Sequence, residues 1–487
     1  MLFNSYEFIF IFLPLSFFIY FFLLQKRLIV GAKSFLIFVS LFFYSWWNIL
    51  YLPLILASIL FNYTIGNSLN ENFEKVRLHK KSLLVFGIFG NLSLLGYFKY
   101  TDFLIENVNM TFDSSLSLLN LALPLAISFF TFQQITYLVD SYRRETREYD
   151  FLNYTLFVSF FPQLIAGPIV HHSEMMPQFA SRWNMIRNYN NIALGLFIFS
   201  IGLFKKVVIA DTFSIWANYG FDVKESLNAF EAWVTSLSYT FQLYFDFSGY
   251  TDMAIGIALL FNIKLPINFN SPYKALDIQD FWRRWHITLS RFLKDYIYIP
   301  LGGNRQGEVR TYTNLLLTFI LGGIWHGAGW TFVFWGFLHG AALVIHRAWT
   351  KLGFTIPTVL AWFITFNFIN IAWIFFRAKE WGDALRILKA MLGINMQYVQ
   401  KQLAAIAHYP NPLLEYLPIM TLYYVLAMLL LGFIMTLCFR NSNEIKSKFD
   451  TMKYVPISWF LFSGVIMGIS LVIIGANTNS EFLYFNF

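Results

Sequence analysis

The chain has 487 residues, of which 57% are hydrophobic, 21% aromatic and only 13% charged. A soluble domain carries close to twice that share of charge, so composition excludes an ordinary soluble enzyme and points to a membrane protein. The formal charge of +8 is scattered over short loops, and no basic face interleaved with stacking aromatics supports nucleic-acid binding.

In chain order, the first segment, residues 8–24, holds no charge and is long enough to cross about 30 Å of hydrocarbon. It lacks a basic leader and a small-residue cleavage site, so it reads as a retained span and not a removed signal peptide. Basic residues then gather in short loops: Lys26, Arg27 and Lys33; Lys75, Arg77, Lys80 and Lys81; Arg143, Arg144 and Arg147; Arg305 and Arg310; Lys446, Lys448 and Lys453. The positive-inside rule assigns these loops to the cytoplasm. A path of roughly ten to twelve spanning or re-entrant segments satisfies them with both termini extracytoplasmic. No internal repeat stands out, which argues against the repeat-built secondary transporters. Cys438 is the sole cysteine, so an intrachain disulfide or a thiolate cluster is excluded, and no metal site is expected.

The middle of the chain differs from its lipid-facing flanks. Over residues 161–346 Gly, Pro, His, Asp and Arg are mixed into apolar sequence, and polar groups at membrane depth usually line a cavity or serve function. Pro162, Gly167 and Pro168 in "FFPQLIAGPIV" predict a broken or re-entrant helix. Lys205 and Lys206 in "GLFKKVVIAD" are expected to snorkel to the cytoplasmic surface. Asp246, in "YFDFSGYTDMAIGIA", is a candidate for capping a broken helix or for orienting a histidine. Residues 275–299 predict one amphipathic helix, N-capped by Asp277 and ended by Pro300. On it Phe281, Trp285, Thr288, Phe292 and Tyr296 share one side. His286 falls with Trp282, Leu289 and Leu293, where a structural histidine is the default. Arg283, Arg284, Arg291 and Lys294 offer cations for donor phosphates or, singly, for lipid headgroups.

Among eight histidines, His326 in "LLLTFILGGIWHGAGW" stands out. It follows Trp325, ends an apolar run that starts in a basic loop, and is flanked by Gly322, Gly323, Gly327 and Gly329. Those glycines leave room for a substrate, and a neutral imidazole there is basic enough to take a proton from an attacking hydroxyl. A buried histidine bonded to a neighbouring helix fits the same residues. His339 lies more than three turns further on, about 20 Å away in one straight helix, unless a break at 327–329 folds the segments back. His346 is expected to serve packing or interface anchoring. The chain ends in "SEFLYFNF", where Tyr484 is a phenol able to carry an acyl group briefly; an interfacial aromatic belt is the other reading.

These motifs, in this order, resemble the membrane-bound O-acyltransferases, and within them the bacterial alginate and peptidoglycan O-acetyltransferases. The matching runs in residues 238–347 are "FQLYFDFSGYTDMAIGIALLF", "LPINFNSPYKALDIQDFWRRWHITLSRFLKDYIYIPLGGNR" and "LGGIWHGAGWTFVFWGFLHG". "FFPQLIAGPIV" and "GLFKKVVIAD" extend the likeness upstream, and "IAWIFFRA" extends it downstream. The resemblance implies an all-α polytopic membrane protein, a ring of transmembrane helices around a central funnel with re-entrant helices. Residues 1–487 would form one membrane-embedded domain, with a core over 151–350 and C-terminal spans and aromatic tail over 351–487. His326 falls on the family's catalytic histidine, His286 on its second polar position and His339 on its second histidine, with Asp246 and Trp325 in support.

The implied reaction moves an acyl group, acetyl above all, from a cytoplasmic donor such as acetyl-CoA or an acyl carrier to an extracytoplasmic polysaccharide such as alginate or peptidoglycan. No bound cofactor is implied. "FLYFNF" resembles the aromatic end of the small partner in the related D-alanyl transfer system, which makes Tyr484 the candidate relay. A separate SGNH-type extracytoplasmic O-acetyltransferase is the implied partner, and the bacterial inner membrane the implied location. D-alanyl transfer from a carrier protein and secondary transport are the alternatives.

Overall fold

The computed structural model describes residues 1–70, 77–146, 150–394, 416–452, 456–476 and 482–483. Among them the only regular secondary structure is helical. Hydrocarbon offers no partners to backbone polar groups, and a helix satisfies its own.

A π-helical turn at Glu7–Phe12 leads into α1 (Leu13–Gln25) and α2 (Ile29–Ser45). Next come α3 (Leu52–Asn70), α4 (Arg77–Lys99), α5 (Thr101–Phe112), α6 (Ile127–Tyr142), α7 (Phe151–Ser159), α8 (His172–Ala180) and α9 (Tyr189–Phe204). α10 (Asp211–Asn218) precedes α11 (Ala229–Leu260) and the short pair α12 (Ile278–Arg284) and α13 (Ile287–Leu293). The chain continues through α14 (Glu308–His326), α15 (Trp330–Lys351), α16 (Thr358–Arg377), α17 (Trp381–Met391), α18 (Tyr416–Leu437), α19 (Ser442–Thr451) and α20 (Ile457–Ala476).

Six helices among the described residues are long and apolar enough to cross a membrane, or seven if a bent pair at 422–437 and 442–449 is one span. α11, α14 and α15 have the length but fall outside this apolar set. Each carries polar side chains that the protein buries, such as Thr240, Gln242, Asn314 and His339. Hydropathy alone undercounts helices of that kind.

The chain divides into two compact units. The first comprises residues 1–204, 249–267 and 449–487, and the second 205–248 and 268–448.

In the first unit, amide side chains bind α3, α4, α6 and α7 together. Asn62 and Asn91 exchange amide hydrogen bonds of 3.1 and 2.6 Å. Gln134 donates to the Ser58 hydroxyl at 2.7 Å and accepts from the Tyr154 hydroxyl at 3.0 Å. Such bonds join apolar helices where the hydrophobic effect cannot. The break expected in "FFPQLIAGPIV" is present, because α7 ends at Ser159 and only a short turn, Phe161–Leu164, follows. The Phe157 carbonyl beside it accepts from the Gln133 and Gln163 side chains at 2.9 and 2.7 Å. Near the C-terminus, the Phe482 ring is buried edge-on against Tyr250, 4.6 Å away. Tyr484 lies outside the described residues.

In the second unit, α14 and α15 form a hairpin in very close contact. A Cβ on Gly323 would sit 2.3 Å from the Phe332 carbonyl oxygen, and one on Gly336 would sit 2.4 Å from that of Phe319. Only glycine permits this approach. The single helix expected over 275–299 is interrupted. Asp277 does cap its start, accepting from the Asp280 N–H at 2.7 Å, but the helix stops at Arg284 and restarts at Ile287.

Candidate active site

The interruption places His286 in the second unit's interior. Its φ of 42° and ψ of 54° are left-handed, a conformation that costs a non-glycine residue about 1–2 kcal/mol and persists only where the surroundings enforce it. An extended segment supplies that enforcement. Asn270 N–H donates to the Arg284 carbonyl at 2.9 Å, and Ile287 N–H donates to the Asn268 carbonyl at 3.0 Å. The Asn268 side-chain oxygen accepts from the Thr288 N–H and hydroxyl at 3.2 and 2.9 Å. Both ends of the break are therefore held. The sequence reading put His286 on a continuous helical face; the break turns it out of that register.

His326 is the last residue of α14, and the extended Gly327 and Gly329 carry the chain round into α15. The break expected at 327–329 is where the hairpin turns. Ring centroids of Trp325, Phe376 and Trp335 stand 4.8, 5.0 and 5.1 Å from that of His326, and His286 stands 6.5 Å away. His326 is 4% exposed, whereas His286 and His339 are 0% exposed. The glycines do not all make room for a substrate. A Cβ on Gly327 would sit 2.2 Å from the Phe332 ring, and Gly323 admits the Phe332 backbone, so the protein itself fills that space.

His339 lies in the middle of α15, with Trp335 one turn before it at 4.7 Å. Its Nδ1 accepts a hydrogen bond from Trp282 Nε1 at 3.2 Å, which places the proton of the neutral ring on Nε2. Trp335 thus touches both His326 and His339.

Asp246 lies inside the continuous α11, so it caps no broken helix. Its carboxylate stands 2.7 Å from Lys206 Nζ, which is also 2.8 Å from Asp211. Lys206 therefore does not snorkel; it is 2% exposed. Two carboxylates neutralise the ammonium and accept its protons, removing its need for water. The next residue, Phe247, presents its ring 4.8 Å from His286. Of the basic candidates, Arg283 and Lys294 are exposed, while Arg291 is half-buried. Arg284 is engaged by Asp280 at 2.9 Å and by the Asn270 carbonyl at 3.3 Å. His346 is half-buried and stands 3.6 Å from Asp277.

The structure brings His326, His286, Trp325, Trp335 and Phe376 together, with His339 behind Trp335. Sequence reasoning missed Trp335 and Asn268 and misplaced Lys206 at the surface. Trp335 carried a signal, one turn before a histidine and far along a hairpin from another; the other two carried none that adjacency reveals. The assembly can hold a neutral imidazole among aromatic rings that exclude water, with a second imidazole near enough to touch the same small reacting group.

Residues 10–379 match the model of the membrane-bound O-acyltransferase family. The chain is 51% identical to a peptidoglycan O-acetyltransferase of Helicobacter pylori, an alignment covering 100% of this chain and 98% of that protein. It is 40% identical to the probable alginate O-acetylase AlgI of Pseudomonas aeruginosa, over 80% of this chain and 75% of the relative. A teichoic acid D-alanyltransferase of Streptococcus thermophilus is more distant, at 27% identity over 56% of this chain and 72% of its own.

Proposed function

This chain belongs to the membrane-bound O-acyltransferase family, and from that premise we propose that His326 is its general base, taking the proton of a hydroxyl that attacks an acyl thioester. The enzyme is a multi-pass membrane O-acyltransferase acting on polysaccharide hydroxyls. Full-length similarity to a peptidoglycan O-acetyltransferase favours peptidoglycan as acceptor and acetyl as the group moved. The partial, lower similarity to D-alanyltransferases makes D-alanyl transfer the second reading.

The observation that carries the assignment is the position of His326 at a helix end, ringed by Trp325, Trp335 and Phe376 and 6.5 Å from His286. The hydroxyl oxygen bonds to the thioester carbonyl carbon while its proton passes to His326. The C–S bond then breaks, and the imidazolium returns the proton to the leaving thiolate. An ester and a free thiol result, with no net change in protons. The aromatic wall keeps water from competing as the nucleophile. His286, its ring centroid 6.5 Å from that of His326, supports the reacting group.

The donor in this reading is acetyl-CoA from the cytoplasm, its phosphates met by Arg283 and Lys294, with Arg284 and Arg291 alongside. The acyl group leaves through Tyr484 to a separate SGNH-type extracytoplasmic O-acetyltransferase, or directly to sugar. The enzyme sits in a bacterial inner membrane with both termini extracytoplasmic.

In cells, His326→Ala removes ester-linked acetate from the polysaccharide at unchanged protein level; normal acetylation would refute the assignment. Tyr484→Phe stops transfer if the relay operates, and unchanged transfer rejects it. Labelled acetyl-CoA and a labelled D-alanyl carrier, offered in parallel, separate the two donors.

A further inference from the structure

A cavity lies away from His326. It encloses about 740 Å³ along α15 and α16, and His326 is not among its lining residues. Leu338, Ala342, Ile345, Ile364 and Phe368 form its apolar walls, while Asp277 and His346 line it as a polar pair 3.6 Å apart. Its volume is in the range of a small-molecule site, about 300–1,000 Å³.

Three observations bear on its occupant. First, α16 is apolar enough to cross the bilayer, and Ile345 and Ile364 are 66% and 50% exposed, so the groove faces lipid. Second, its wall on α15 runs from Leu338 to Thr350, about 18 Å at the helical rise and close to the roughly 15 Å of hydrocarbon in one leaflet. Third, the charged side chain that lines its polar end is acidic, Asp277. Arg347 and Lys351, at the same end of α15, pair with Glu308 at 3.4 and 2.6 Å, and the His346 imidazole stands 3.6 Å from Asp277.

We propose that this groove binds one phospholipid with an ethanolamine headgroup, its acyl chain along α15 and α16 and its ammonium on Asp277. The Asp277 carboxylate selects against anionic headgroups such as phosphoglycerol. His326 is not part of the site, so the proposal stands or falls separately from the role of His326.

The test uses the full chain, extracted in a delipidating detergent and examined by native mass spectrometry, then reconstituted with defined lipid mixtures. Wild-type protein is expected to keep one phosphatidylethanolamine per chain. Ala342→Trp, which fills the groove, should lower its occupancy at least tenfold. Asp277→Asn retains a helix-capping side chain and should keep a phospholipid while losing the preference for ethanolamine over glycerol headgroups. Should Ala342→Trp fail to fold, photoactivatable phosphatidylethanolamine decides the matter on wild-type protein. Crosslinks concentrated on residues 338–349 and 361–368 support the site. Crosslinks spread equally over exposed positions such as Phe38 and Leu60 overturn it, as would full occupancy in Ala342→Trp or equal retention of phosphatidylglycerol by wild type.

Discussion

His326 and His339 lie on one hairpin, are both buried and both touch Trp335, yet the backbone treats them differently. His326 closes a helix, and the chain beyond it is extended. His339 sits in mid-helix with Nδ1 taken by Trp282. A ring at a helix end borders a backbone break, where a substrate can approach without displacing a turn of helix. A ring in mid-helix whose Nδ1 accepts from Trp282 links α12 to α15. Residue type and burial do not separate the two; backbone position does.

The largest effect expected away from the chemistry comes from the ion cluster that joins Lys206 to Asp211 and Asp246. Lys206→Met removes the cation that the buried Asp246 and the half-buried Asp211 share and should cost about 3–5 kcal/mol. Thermal unfolding of purified protein checks this, and an unchanged midpoint would mean the ion cluster holds nothing in place. Gly336→Ala pushes α15 off the Phe319 carbonyl, one turn from His339, and should cost about 1–3 kcal/mol by the same measurement. At the break, His286→Asn should be about 1–2 kcal/mol more stable than His286→Val, because asparagine tolerates a left-handed backbone and valine does not. Equal stabilities would show that the backbone there relaxes once the ring is gone. Smallest of all, Trp282→Phe keeps an aromatic ring but removes the N–H on His339, a loss of about 1 kcal/mol. A larger fall in transfer than in stability would promote His339 from a link between helices to a reacting group.

Much of this was legible in the sequence, and the failures have physical causes. The membrane class, the breaks at 160–170 and 327–329, and the Asp277 cap follow from composition, proline and glycine placement, and side-chain capping, all local properties. The His286 break does not, because its determinants, Asn268 and Asn270, lie in an extended segment that pairs with it only in three dimensions. Lys206 misled for the same reason. Its neighbours predict snorkelling, but Asp246, 40 positions on, reverses its preference. The glycines near His326 were rightly singled out, yet Phe332 occupies the room left by two of them.

The most direct test offers labelled acetyl-CoA and polysaccharide acceptor to purified, reconstituted His326→Ala and His339→Ala proteins, with and without the proposed extracytoplasmic partner. Loss of the general base should lower transfer about 10²–10⁴-fold in His326→Ala, while His339→Ala stays within about tenfold of wild type. The reverse order, or equal losses at equal stability, would contradict the assignment of His326.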